Sequence, residues 1–231
     1  MNVLELFAGI GGLSLGLQRA GMTIVGHVEL DPFCRAVLSK HWPEVPCHDD
    51  VRTAVAWWRS QPRPRVDVVA GGYPCPGESN AGKRRGHEDE RWLWPEMARV
   101  IHAIRPRYVI AENVLGHRTR GLRFVLRDLD RLGYTARAGI VRACQMGAPH
   151  PRSRLFILAH TSGQGRGPGS GLEPPRTAPV RTGWWASEPQ VARMAHGVPA
   201  GVDRRRALGN AVVPHVGEHI GRIILDHHAS G

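Results

Sequence analysis

Residues 2–12 read NVLELFAGIGG, and residues 13–28 continue LSLGLQRAGMTIVGHV. The apolar run over residues 2–7 breaks on glycines, as a buried strand does when it enters a tight turn. Leu13, Leu15 and Leu17 then supply the apolar positions of a helix over residues 11–20, and Gly21 stops it. A second strand over residues 23–28 ends at Glu29. Strand, glycine turn, helix and strand form the unit from which parallel sheets are wound.

The rest of the chain repeats that unit. Pro32 suits the first turn of a helix over residues 31–41. A short helix at 53–59 precedes a third strand at 66–70. A helix at 91–104, a strand at 108–111, a helix at 122–132 stopped by Gly133, and a strand at 154–159 follow. A last helix over 212–228 is amphipathic through Val213, Val216, Ile220, Ile223 and Ile224. The alternation predicts an α/β fold with a doubly wound, mostly parallel sheet. Ligands of such sheets bind beyond the carboxyl ends of the strands. FAGIGG, Glu29, the run GGYPCP at 71–76 and ENV at 112–114 all fall at those ends, which argues for a single site.

Composition changes near Thr161. Residues 162–183 hold six glycines and four prolines, so they read as an irregular connector and not as a core element. The chain divides into residues 1–160, a small Gly/Pro-rich insert over 161–200, and a segment 201–231 that returns to the first part.

The 231 residues, 42% of them hydrophobic, are enough for one full core. No apolar run approaches a bilayer span and no secretory pattern is present, so a cytoplasmic protein away from membranes is expected. Cys34, Cys47, Cys75 and Cys144 show no CxxC spacing. Four reduced, mostly buried thiols are expected, with neither a disulfide framework nor a metal site. The net charge of +11 is uneven: residues 1–70 carry seven cations and seven anions, whereas residues 71–159 carry sixteen and eight. One face is therefore expected to meet a polyanion, although a merely solvated basic surface gives the same count.

Four motifs carry chemistry. The glycines of FAGIGG permit a tight turn and close approach of backbone to a ligand. Glu29 lies twenty residues after Gly9, where a carboxylate can hold ribose hydroxyls. The pair predicts an adenosine-containing ligand, and Ser14 breaks the GxGxxG pattern of dinucleotide sites. Pro74 and Pro76 fix the backbone around Cys75 and present its thiol, unless it is simply a small buried side chain. Glu112, at a strand end near that thiol, can donate a proton if its pKa is raised, or else cap a helix. Arg152 and Arg154 alternate at a strand start and converge on one face, which suits a phosphate or a carbonyl oxygen.

In order, FAGIGG, Glu29, Asp50-Val51, Pro74-Cys75, ENV, Arg152-x-Arg154 and the run GNAVVP at 209–214 resemble the DNA cytosine-5 methyltransferase family. The likeness covers residues 1 to about 159 and resumes over about 194–228. It implies a class I S-adenosylmethionine-dependent methyltransferase fold, Rossmann-like, with residues 161–200 as a reduced target-recognition region. It implies that Phe7, Ala8, Gly9, Ile10, Gly11, Gly12 and Leu13 cradle S-adenosyl-L-methionine. Glu29 would bind the ribose, Leu30 and Val51 would lie beside the adenine, and Asp50 would bond its amine. Pro74 would border the same cofactor, and Asn210, Ala211 and Val212 would close its methionine end. Cys75 would attack carbon 6 of cytosine, Glu112 would protonate nitrogen 3, and Arg152 and Arg154 would hold the base and the catalytic loop. A base in duplex DNA must be flipped out for this chemistry. Ser79, Asn80, Lys83, Arg84 and Arg85 would form a basic lid on the phosphates of double-stranded DNA. The implied enzyme is a DNA (cytosine-5-)-methyltransferase of the restriction-modification kind.

The pattern departs from the family in three places. Pro76 and His150 stand where the family usually has glutamine; a donor larger than methyl, a derivative of S-adenosyl-L-methionine, would be one consequence. Only 54 residues separate Arg154 from Gly209. Recognition is then short, relaxed or supplied by a partner subunit; a monomer is expected otherwise. Trp184, Trp185 and the arginines at 204–206 are candidate DNA contacts. An RNA cytosine methyltransferase and a catalytically silent DNA-binding paralogue are the competing readings.

Overall fold

A computed structural model describes residues 1–75, 92–161 and 201–230. Its strands are β1 (Asn2–Leu6), β2 (Thr23–Val28), β3 (Cys47–His48), β4 (Val68–Gly71), β5 (Tyr108–Val114), β6 (Tyr134–Arg142) and β7 (Ser153–Thr161). They form one sheet in the order β3-β2-β1-β4-β5-β7-β6. The pairings from β3 across to β5 are parallel, and β7 runs antiparallel to both β5 and β6. The helices are α1 (Gly12–Arg19), α2 (Pro32–His41), α3 (Ala54–Arg59), α4 (Trp94–Ile104), α5 (His117–Arg120), α6 (Leu122–Arg131), α7 (Gly201–Asn210) and α8 (Pro214–Ala229). The fold is mixed α/β around a mostly parallel sheet, as the alternation of elements predicts.

Both faces of the sheet are covered, which explains why its central strands read as unbroken apolar runs. Leu4, Leu6 and Val69 point to one core, shared with Trp94, Met97 and Ile101 of α4 and Leu129 of α6. Val3, Val68 and Ile110 point to the other, shared with Leu13 and Leu17 of α1 and Val216, Ile220 and Ile224 of α8. Residues 214–229 thus build the core of the N-terminal part from the far end of the chain. Among the described residues no helix is long and apolar enough to cross a membrane.

Several elements differ from the expectations. β5 runs through Val114 because β7 pairs with its last turn of backbone, Glu112 opposite Phe156 and Val114 opposite Arg154. ENV therefore lies inside a strand and not beyond it. β6 was not expected, since its outer positions are largely exposed and carry no clean alternation; its pairing with β7 makes it a strand. β3, only two residues long, and the short α5 escape a periodicity reading for want of length. Gly209 and Asn210 end a helix, α7, that was not expected. Of the four cysteines Cys34 alone is buried; Cys47 and Cys75 are half-buried and Cys144 is exposed, against the expectation of mostly buried cysteines.

Candidate active site

The turn after β1 is shaped by backbone conformation. Phe7 has φ 54°, the left-handed region, which costs a residue with a side chain about 1–2 kcal/mol. Gly11 follows at φ 80°, where a Cβ would lie 2.5 Å from the Trp42 ring, so conformation and space both demand glycine. Glu29, just past β2, fastens this turn. Its Oε2 accepts from the Gly9 N–H at 2.6 Å and its Oε1 from the Asp31 N–H at 2.8 Å. Asp31 in turn caps α2, accepting from the Phe33 N–H at 2.8 Å, with Pro32 in the first turn.

A cavity of about 660 Å³ opens at the carboxyl ends of the strands. Phe7, Ala8, Gly9, Leu13, Glu29 and Leu30 line it on the β1–β2 side, together with Asp50 and Val51. Leu30 is 66% exposed, an unusual state for a large apolar side chain, and a Cβ at Gly9 would meet nothing within 4 Å. Carboxylates beside uncovered apolar surface can receive a nucleoside: acids for its hydroxyls and amine, apolar faces for its base. Ile10, Gly11 and Gly12 shape the turn without lining the cavity.

Pro74, Cys75, Glu112 and Arg154 line the same cavity, as do Asn210, Ala211 and Val212. Glu112 is buried on β5, with Arg154 Nε 2.9 Å from its Oε1. The contact is a close ion pair. Burial pushes the Glu112 carboxyl up to about 7, although Arg154 and then Arg152 oppose the rise. Gly72 makes the close approach possible, since a Cβ there would sit 2.7 Å from Glu112 Oε2. The neighbouring Asn113 holds the cysteine turn: its Nδ2 donates to the main-chain oxygen of Tyr73 at 3.0 Å.

Arg152, with φ 20° just before β7, is near enough to act on Glu112 and also makes a bond of its own. Its Nη2 donates to the Ala211 carbonyl at 2.6 Å and ties the start of β7 to the segment before α8. Ser79, Asn80, Lys83, Arg84, Arg85, Trp184 and Trp185 lie outside the described residues, as does the Arg205 side chain. Arg206 of α7 lines the cavity; Arg204 is exposed and is not among its lining residues.

Two residues at the site were not singled out from the sequence. His117 Nδ1 stands 3.2 Å from Cys75 Sγ, and His117 Nε2 stands 2.7 Å from the Tyr73 hydroxyl. Tyr73 could have been found from its place two residues before Cys75. Nothing in the sequence marks His117, because only the pairing of β4 with β5 brings the start of α5 under the cysteine turn. The assembled groups are a half-buried thiol, a protonatable acid and an arginine, beside a pocket suited to a nucleoside.

Comparison with known proteins gives the family. A profile of the family described as C-5 cytosine-specific DNA methylase matches residues 1–177. The type II methyltransferase M.Eco47II of Escherichia coli is 39% identical over 165 residues, covering 68% of this chain and 39% of its own length. The type II methyltransferase M2.BsuMI of Bacillus subtilis (strain 168) is 35% identical over 168 residues, covering 69% and 42%. The crystal structure of the Dnmt2 methyltransferase of S. pombe shares the fold, with a TM-score of 0.59 at 24% identity over 72% of this chain and 52% of its own. The chain thus spans less than half the length of these two curated relatives. The residues that the family profile matches carry the glycine turn, the cysteine turn and the ENV strand, and the chain belongs to the C-5 cytosine-specific DNA methylase family.

Proposed function

We propose that the protein transfers a methyl group from S-adenosyl-L-methionine to carbon 5 of a cytosine in double-stranded DNA, through a covalent bond from Cys75. The observation that carries this reading is one cavity lined by the Cys75 thiol, the raised acid Glu112 and the Glu29-fastened glycine turn. Glu29 and Asp50 would hold the ribose and the adenine amine, with Phe7, Leu30 and Val51 against the ring. Bound S-adenosyl-L-methionine supplies the electrophilic carbon that the activated carbon 5 accepts.

The chain's own groups do the activating. Carbon 5 of cytosine is a poor nucleophile. The Cys75 thiolate adds to carbon 6 while the Glu112 proton passes to nitrogen 3, and the ring electrons become available at carbon 5. Arg154 beside Glu112 steadies the carboxylate left behind. Once carbon 5 carries the methyl group, its hydrogen leaves as a proton to water; the electron pair left behind expels the thiolate and restores the ring double bond, and the nitrogen 3 proton returns to Glu112. Ser79, Asn80, Lys83, Arg84 and Arg85 would contact the phosphates beside the flipped base, and residues 161–200 would read the target. The restriction-modification role named for the relatives is the setting this reading favours.

The test is Cys75→Ala. Transfer of labelled methyl to duplex DNA is expected to vanish while circular dichroism stays unchanged. A duplex carrying 5-fluorocytosine should attach covalently to the native protein at Cys75, since fluorine blocks the final elimination. Attachment at another residue, or transfer that survives the substitution, would overturn the reading.

A further inference from the structure

The cysteine turn carries a relay that the reaction above does not use. Tyr73 and His117 are both buried, 2% and 1% exposed, and the phenol oxygen and imidazole Nε2 are 2.7 Å apart. Burial pushes the Tyr73 hydroxyl well above its ordinary value, so it stays protonated. Burial also pushes His117 down to about 4, so the ring is neutral near neutral pH. A neutral imidazole has one N–H and one bare nitrogen, and a neighbouring group decides which is which. Among the described residues the Tyr73 hydroxyl has His117 Nε2 as a hydrogen-bond partner. The Asn113 side chain is a second hydrogen-bond neighbour of the phenol and favours its oxygen as an acceptor, so the phenol's own proton is the one given to the imidazole, which leaves Nε2 as the acceptor and puts the ring proton on Nδ1. That nitrogen is the one 3.2 Å from Cys75 Sγ.

We propose that His117 is a positioning residue for the Cys75 thiol: its Nδ1–H, set in that tautomer by the Tyr73 hydroxyl, donates to the sulfur and favours and aims the thiolate. The ring is built into place for this. It packs against Trp92 at 5.4 Å between centroids, and Gly121 leaves the room its edge occupies. Asn113 clamps the Tyr73 backbone from β5, so donor, relay and thiol share one rigid support. A hydrogen bond to the charged form of a group favours that form. No proton leaves the histidine in this role, and the thiol proton goes to solvent before the base arrives. The proposal rests on Cys75 being the nucleophile, but its test does not require turnover.

The test is the pH profile of Cys75 alkylation by iodoacetamide in the free protein, read by mass spectrometry at the Cys75 peptide, with Cys47 as an internal reference. Charged and titratable groups near the sulfur are Tyr73 on its own turn, Glu112 on β5 and Arg154 of β7, which share its cavity, and His117 on α5. Glu112 and Arg154 are unchanged throughout, so their effect is common to every variant. His117→Phe, which keeps the ring volume and removes the donor, is expected to raise the alkylation midpoint by about one pH unit. His117→Asn places an amide N–H close to the Nδ1 position and should restore most of that shift. Tyr73→Phe keeps the packing and frees the tautomer, and should give part of it. An unchanged or lowered midpoint in His117→Phe or in Tyr73→Phe would overturn the proposal. If the phenylalanine at 117 does not fold, the Tyr73→Phe profile decides alone. Methyl transfer that survives Cys75→Ala would instead remove the nucleophile assignment, whatever the alkylation profiles show.

Discussion

Two carboxylates face one cavity and are held in opposite ways. Glu29, on the β1–β2 side, is fastened by backbone: the Gly9 and Asp31 N–H groups reach its two oxygens. Glu112, on the β4–β5–β7 side, is surrounded by side chains and by the hydrogen surface of Gly72, with Arg154 as its close ionic neighbour. Backbone amides fix where a carboxylate stands and leave its outer lone pairs for a ligand. Burial instead raises the cost of ionisation by more than the neighbouring guanidinium offsets, and leaves a proton to give. The difference separates a binding region from a reacting region within one pocket, and each can be disturbed alone.

The largest effect should come from the reacting region. Glu112→Gln keeps the shape and removes the acid; transfer should fall at least ~100-fold with cofactor affinity unchanged by calorimetry. The pH dependence sharpens this. A carboxyl raised to about 7 holds its proton below that pH and loses it above, so the rate should decline as pH rises through about 7. The glutamine variant should lack that decline; a decline that persists would assign it to another group. Glu29→Ala should act on the binding region, weakening S-adenosyl-L-methionine roughly tenfold while the rate at saturation changes little. Equal loss in both quantities would break the separation of the two regions.

Arg152→Ala should be the mildest. It removes the bond to the Ala211 carbonyl, worth about 1 kcal/mol, and should lower the thermal midpoint by about 2–4 °C. A loss of transfer far beyond that caused by the lost stability would place Arg152 on the base, and not on the segment before α8.

The binding region was the more legible in the sequence. Its geometry is local: a glycine at φ 80°, a proline in a first helical turn and a glutamate at a strand end each declare themselves within a few residues. The reacting region was legible only as types, a cysteine between prolines and an acid in ENV. β6 and the extension of β5 went unread because both exist through pairing with β7, whose antiparallel direction no periodicity encodes. Arg152 and Arg154 were read as partners on one face, and both stand near enough to Glu112 to act on its carboxyl, but the Arg152 bond to Ala211 was not legible.

The sequence by itself determined the winding of the sheet, the glycine turn and the residue types gathered at the strand ends, because hydrophobic period and turn chemistry act over short distances along the chain. Only the tertiary structure decided that Glu112 is buried against Gly72 and Arg154, that Arg152 turns to Ala211, and that His117 meets Cys75. Those contacts join residues 40 or more positions apart, with no repeating pattern to announce them. Their energies come from desolvation and close packing, which exist only once the strands are side by side.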